Sequence, residues 1–275
     1  MNEGLEIHIA RRVAVVWLAR EKVRNAFNET LIAALTAAFT RLGEDDAVRA
    51  IVLAARGPAF CAGADLDWMR RMAGYSHDEN VADARALATM LRTIYLCPKP
   101  TLARVHGDVY AGGMGLVAAC DIAVAATTAN FCLSETKLGL IPATIGPYVV
   151  RALGEQAARR YALTAERFDA AEALRLGFVH AVAAPEALDA RIEEILAAIL
   201  QTSAHAVREA KRLVREVAGR RIDEALADDT AERIAAIRAS DDGREGVRAF
   251  LDKRKPRWVS QYEAERAAEG DDEEM

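Results

Sequence analysis

Between an apolar run ending at Val105 and another beginning at Leu116, the chain sets Gly112, Gly113 and Gly115 within four positions. Glycine lacks a Cβ and reaches positive φ easily, so such a run marks a tight turn or a ligand close to the main chain. A turn that opens a helix also leaves N–H donors without intrahelical acceptors, which suits an oxygen that gains negative charge. A second turn of small residues, Cys61-Ala62-Gly63-Ala64-Asp65, follows the buried run Ala50–Ala54. Two turns of this kind can offer one N–H each to a single oxygen, forming an oxyanion hole. Spacing along the chain leaves open whether they meet.

Other chemistries fit less well. Gly113-x-Gly115-x-x-Ala118 matches a dinucleotide-binding pattern, with Glu135 beyond it. That pattern places its glycines directly at a strand end, whereas residues 106–111 separate Val105 from Gly112 here. The following strand also ends in Ala125-Ala126-Thr127 rather than an acid. There is no phosphate loop of the G-K-[ST] type and no H-E-x-x-H. Glu135 after Ser134 reads locally as an acid at a capped helix start. His106 reads as a structural histidine, Asp108 and Tyr110 as loop residues, and Asp121 as the holder of the next turn. Trp68 and Met69 read as core or pocket-lining residues, and Arg70 and Arg71 as a solvated face.

The elements that must position these residues follow from periodicity. Leu5, Ile7 and Ile9 alternate, and Val13–Leu18 is β-branched, so the chain opens with two strands. Asn28 caps a helix carrying Leu31, Leu35, Phe39 and Leu42, with Gly43 at its end. A strand at 50–54, a helix over 81–96, a strand at 101–105, a short helix to Cys120 and a strand at 122–126 repeat one pattern, which predicts an α/β core of right-handed turns. After Pro142 come helices near 146–153, 155–163 and 170–174, a strand at 179–182, then helices over 185–201, 204–218, 222–239 and 241–251. We divide the chain into a core over 1–200, a helical appendage over 201–258 and an acidic, disordered tail over 259–275. The apolar stripes of the appendage suggest packing against another subunit.

Composition narrows the classes. The 275 residues carry a net charge of −5, but Glu263–Met275 has seven acids and one Arg, a net of −6, which leaves the rest at +1. A near-neutral body argues against a nucleic-acid partner. Cys61, Cys97, Cys120 and Cys132 show no C-x-x-C spacing, so we expect reduced thiols and no metal site. No apolar run reaches the roughly 20 residues that span a bilayer, and the acidic start lacks a signal-peptide core. A cytoplasmic protein without membrane contact is expected.

Ala59-Phe60-Cys61-Ala62-Gly63-Ala64-Asp65-Leu66, Lys99-Pro100-Thr101, Val105-His106-Gly107, Gly112-Gly113-Met114-Gly115-Leu116, Cys120-Asp121-Ile122, Phe131, Ser134-Glu135 and Lys137-Leu138-Gly139-Leu140-Ile141-Pro142 together resemble the enoyl-CoA hydratase/isomerase (crotonase) superfamily over nearly the whole chain. Ser134–Lys137, Ile141–Ile145 and Leu163–Asp169 further resemble bacterial methylglutaconyl-CoA hydratases of leucine breakdown. The resemblance implies an α/β fold of the ClpP/crotonase-like type, a spiral core of ββα turns with a C-terminal helical appendage. It implies that the N–H groups of Ala64 and Gly112 hold the thioester oxygen as an enolate forms, and that Glu135 is one of the two carboxylates of two-acid hydratases. The position of the other is Gly115, so here one acid is missing.

Ala62, Asp65 and Leu66 match the stretch that wraps coenzyme A, and Gly113 lets the thioester approach. Lys22 and Arg24 resemble the early contacts to its phosphates. Phe250 and Lys253 match C-terminal positions that reach a CoA, often a neighbouring subunit's. Lys137, Arg70 or Arg71 would meet a substrate's free carboxylate. The implied ligand is an acyl-CoA whose coenzyme A is part of the substrate, with no permanently bound cofactor, and the implied assembly is a homotrimer or a dimer of trimers. Three functions remain open: a hydratase of short branched enoyl-CoA esters, a Δ3,Δ2-enoyl-CoA isomerase, and a non-catalytic acyl-CoA-binding protein.

Overall fold

A computed structural model describes residues 4–270. The chain opens with β1 (Leu5–Ala10) and β2 (Val13–Leu18), paired antiparallel, and continues into α1 (Glu29–Glu44). Asn28 Oδ1 accepts the Leu31 N–H at 2.9 Å, so the expected cap is in place. Gly43 lies inside α1 rather than ending it; the C-cap is Asp45 in an ordinary extended conformation, and no left-handed residue is needed there.

Next come β3 (Ala50–Ala55), β4 (Ala59–Cys61), α2 (Leu66–Met72) and α3 (His77–Leu96). A reciprocal capping box between Ser76 and Glu79 starts α3 four residues before the expected position 81. β5 (Thr101–Val105), β6 (Asp108–Tyr110), α4 (Gly112–Ala119), β7 (Ile122–Ala126) and β8 (Asn130–Cys132) follow. A single 3₁₀ turn, Glu135–Leu138, precedes α5 (Gly146–Thr164), which breaks at Gly154 (φ 75°) where two helices were expected. β9 (Phe168–Asp169), α6 (Ala170–Arg175), β10 (Ala181–Ala183) and α7 (Leu188–Leu200) complete the α/β part.

Two sheets organise these elements. The larger has the order β1-β2-β3-β5-β7-β10 and is parallel apart from β1. All six residues of β3 are buried, as a parallel strand covered on both faces requires. The smaller has the order β4-β6-β8-β9, with β4, β6 and β8 parallel. Its strands are two or three residues long, too short to show a period in sequence, and β6 occupies part of the gap between Val105 and Gly112.

The chain forms two compact units, one built from the chain up to Cys97 with Thr101–Glu193, the other from Pro98–Pro100 with Glu194 onward. The division falls within α7, ahead of the boundary at 200/201 read from sequence. The second unit contains α8 (Ala204–Val217), α9 (Glu224–Ala239), α10 (Asp241–Leu251) and α11 (Arg257–Gly270). Helix α11 takes up most of the stretch expected to be disordered: Gln261 Nε2 donates to Glu265 one turn on, and Lys255 Nζ, just ahead of the helix, donates to Glu263. Residues 271–275 of that expected tail lie outside the described residues. No described helix is long and apolar enough to cross a membrane.

Candidate active site

Three neighbouring parallel strands of the small sheet each end in one part of the site. β4 leads into Ala62–Asp65, β6 into Ala111–Gly113, and β8 into Ser134–Glu135. The register pairs Cys61 with Val109 and Tyr110 with Cys132, so the three exits lie side by side. The two small-residue turns thus converge, which their spacing alone left open.

Close packing fixes the turns against each other. A Cβ placed on Gly113 would lie 2.9 Å from both Cβ and the carbonyl oxygen of Cys61, and one on Gly63 would lie 3.2 Å from Ala111 Cβ. Only glycine permits that approach of α4 to β4. Burial raises the Cys61 thiol to about 12, so it stays protonated and serves as packing. Ala111 sits at φ 47°, ψ −119°, a region that costs a residue with a side chain about 1–3 kcal/mol. Its N–H donates to Cys132 O at 2.9 Å and its carbonyl accepts the Met114 N–H at 2.9 Å, which hold this conformation.

Both candidate amides are available. Ala64 pairs with Phe27 in an isolated parallel bridge whose bonds run from Phe27 N–H to Gly63 O (2.7 Å) and from Asp65 N–H to Phe27 O (2.8 Å). The Ala64 N–H therefore points away from Phe27 and meets no backbone acceptor among the described residues. Gly112 is the first residue of α4, so its N–H has no intrahelical partner.

Glu135 is half-buried at the end of β8. Burial raises its carboxyl above the ordinary 4.5, opposed by its own backbone N–H, and Oε2 is buried with no hydrogen-bond partner among the described residues. Ser134 does not cap this turn with its side chain, and the turn is 3₁₀, so the reading of Glu135 as a capped helix-start acid does not describe the structure. The strand that carries it is clamped by aromatic packing. Phe131 lies 5.3 Å from Phe178 and 5.5 Å from Phe168, and Phe168 lies 4.2 Å from Tyr161.

The other sequence candidates divide. Asp65 is occupied: Arg20 Nη2 donates to Oδ2 at 2.8 Å, and Oδ1 accepts the Asp67 and Trp68 amides as the N-cap of α2. Burial alone would raise this carboxyl, but Arg20 and the two amides hold it below its ordinary value. Ala62 N–H donates to Arg24 O at 3.0 Å, which ties the exposed Arg24 and the neighbouring turn carrying Lys22 to the first loop. Leu66 is 69% exposed just after that loop, an apolar surface open to a ligand. Phe250 and Lys253 are exposed in the second unit, on α10 and just beyond it.

The remaining residues behave as follows. Arg71 is held by both oxygens of Glu29, and Arg70 pairs with Asp67. Lys137 is exposed and has no partner among the described residues. Trp68 is buried and donates to Asp83 at 3.0 Å, while Met69 is half-buried. His106 Nε2 bonds Gly57 O at 2.7 Å, and Asp121 accepts from the Thr101 amide and hydroxyl, so both are structural. Sequence reading missed Phe27 and Arg20. Each looks like an ordinary loop or core residue until its partners are known.

Two turns with available amides and a half-buried carboxyl with one unpartnered oxygen, carried on neighbouring strand exits, are the parts that acid–base chemistry beside a carbonyl group requires. The enoyl-CoA hydratase/isomerase family model matches residues 8–261, and the chain belongs to that family. It is similar to the crotonyl-CoA hydratase of Syntrophomonas wolfei, at 31% identity over 94% of this chain and 98% of that protein. Among solved structures, it resembles a Legionella pneumophila protein assigned to the enoyl-CoA hydratase/isomerase (crotonase) group, with 43% identity, TM-score 0.88, and 93% and 98% of the two chains covered. An enoyl-CoA hydratase from Shewanella pealeana shares 42% identity with a TM-score of 0.90, covering 93% and 96%.

Proposed function

We propose that the protein adds water reversibly to a short, branched α,β-unsaturated acyl-CoA, with 3-methylglutaconyl-CoA as the substrate to test first. The observation that carries this reading is the Glu135 carboxyl, raised by burial and with an unpartnered oxygen, beside two turns with available amides. As water oxygen bonds to the β-carbon, the C=C electrons move toward the thioester, and negative charge collects on its oxygen. The N–H groups of Ala64 and Gly112 stabilise that charge, and losing one such donor costs about 10²–10³ in rate. Glu135 takes the water proton, and the protonated carboxyl returns a proton to the α-carbon. Lys22, Arg24, Ala62, Leu66 and Gly113 line the CoA and thioester path, while Phe250 and Lys253 serve a CoA in a homotrimer or dimer of trimers.

Gly115 favours a second reading, because the site holds no acid there. One carboxyl suffices to move a proton between α- and γ-carbons, as in a Δ3,Δ2-enoyl-CoA isomerase. A panel of 2-enoyl- and 3-enoyl-CoA esters, followed by mass spectrometry in H₂O and D₂O, separates the two. Formation of the 3-hydroxyacyl-CoA from 3-methylglutaconyl-CoA, abolished in Glu135→Gln while ester binding survives, is the expected result. Full turnover by Glu135→Gln would sink both readings.

A further inference from the structure

A 3₁₀ turn over Glu21–Val23 runs into Arg24 at φ 50° and Asn25 at φ 56°, two successive left-handed residues that both carry a Cβ. Such a pair is unfavourable by itself, although asparagine tolerates the conformation better than most residues. The Asn25 side chain supplies what holds it. It is fully buried; its Oδ1 accepts the Arg20 N–H at 2.8 Å, and its Nδ2 donates to Arg56 O at 2.8 Å and to Ala59 O at 2.9 Å. Both amide hydrogens are thus engaged by the β3–β4 connection, one of them at the first residue of β4. Arg20 reinforces the tie, donating from Nη1 to Ala26 O and from Nη2 to Asp65. What the turn presents outward is charge: Lys22 and Arg24 are exposed, and neither has an acidic partner among the described residues. The Arg24 carbonyl meanwhile accepts the Ala62 N–H at 3.0 Å, which joins the turn to the Ala62–Ala64 loop. That loop has an anchor of its own in Phe27, whose N–H donates to Gly63 O and whose carbonyl accepts the Asp65 N–H.

We infer that Asn25 is a positioning residue: its carboxamide locks the turn carrying Lys22 and Arg24 onto the β3–β4 connection, so that two exposed cations stand at a fixed place relative to the Ala64 amide. The inference rests on the proposed acyl-CoA chemistry. It assigns Asn25 to the hold on the phosphates of coenzyme A and not to the reaction at the thioester, because Phe27 keeps the Ala62–Ala64 loop in place without it.

The test is Asn25→Gly, which adopts the left-handed backbone without strain and deletes only the side-chain bonds. Kinetics compare an enoyl-CoA ester with the N-acetylcysteamine thioester of the same acyl group, which lacks the phosphates. In the variant, KM for the CoA ester rises at least about ten-fold with kcat within about three-fold of wild type, and kcat/KM for the N-acetylcysteamine thioester stays within about three-fold. Equal losses on the two thioesters, or a fall confined to kcat, overturn the inference, because a residue that only supports the fold does not distinguish substrates by their phosphates. An unchanged KM overturns it as well. Asn25→Ser keeps one donor and shows the same split at smaller size, and it is the second variant should Asn25→Gly not fold. Hydrogen exchange gives a readout without ligand: the Ala62 amide exchanges at least about ten-fold faster in Asn25→Gly, while the Asp65 amide, bonded to Phe27, stays within about three-fold. Unchanged exchange at Ala62, or equal acceleration of both amides, overturns the assignment of Asn25 to the turn. A wild-type protein that turns over no enoyl thioester overturns the proposed function and the kinetic half of the inference together, whereas the exchange comparison still decides whether Asn25 holds the turn.

Discussion

The ring of Phe27 stands where a side chain on Gly112 would have to be: a Cβ there would lie 2.7 Å from Phe27 Cε2 and 3.0 Å from Cδ2. Phe27 also carries the backbone bridge to Ala64, so one fully buried residue sets the position of both candidate amides.

Gly112→Ala therefore pushes against a ring that has nowhere to go. We expect a loss of about 1–3 kcal/mol in stability from overpacking and a fall of about 10²–10³ in kcat as the amide moves off the thioester oxygen. Chemical denaturation and steady-state kinetics on the active ester check both. A variant with normal kcat would show that the Gly112 amide is not a donor in the reaction.

Glu135 gives a pH signature of defined sign. Its folded pKa lies above its ordinary 4.5, so the folded state binds more protons than the unfolded one between those values. Stability is greatest below the ordinary value and declines as pH rises through the raised folded value. Glu135→Gln removes this slope, and Tm measured against pH is flatter for the variant across that window. An identical profile for both proteins contradicts the burial account. The same raised value moves the acidic limb of kcat/KM upward from the ordinary carboxylate range.

Asp65 has the opposite sign. Its carboxyl is held below the ordinary 3.8 by Arg20 and the α2 amides, so its contribution is present above that value and is lost as pH falls through the depressed folded value. Asp65→Ala removes the cap, worth about 0.5–2 kcal/mol, and the ion pair with Arg20. We expect a lower Tm at neutral pH, a smaller difference from wild type in acid, and weaker CoA-ester binding as the start of α2 loosens. Isothermal titration with a non-hydrolysable CoA thioether reads the last effect.

Ala111 holds a backbone conformation suited to glycine. Ala111→Gly relieves that strain while adding unfolded-state entropy, so its stability stays within about 1 kcal/mol of wild type or rises. Ala111→Val, with a branched Cβ at positive φ, loses at least about 1 kcal/mol. Equal Tm values for the two variants would show that the strain at this residue has been overstated.

Much of the framework was legible in the residues themselves. Alternation in Leu5–Ile9, the Asn28 cap and the apolar run Ala50–Ala54 each act locally, and the structure places strands or helices where they point. The glycine clusters likewise announced close approach, and packing of Gly113 on Cys61 supplies it. The small sheet was not legible, because a three-residue strand such as Ala59–Cys61 carries no period and acquires its identity from partners distant in sequence.

The chain by itself determined which groups are available: glycines that allow backbone contact, one acid after an apolar strand, and a motif set shared with one family. Only tertiary structure decided how they combine. Parallel pairing of β4, β6 and β8 brings two turns and Glu135 to one edge, because strand ends become neighbours only through hydrogen bonds between remote segments. It also decided that Asp65 spends its charge on Arg20 and that Ile145 fills the space beside Gly115, since the occupancy of a volume depends on everything packed around it.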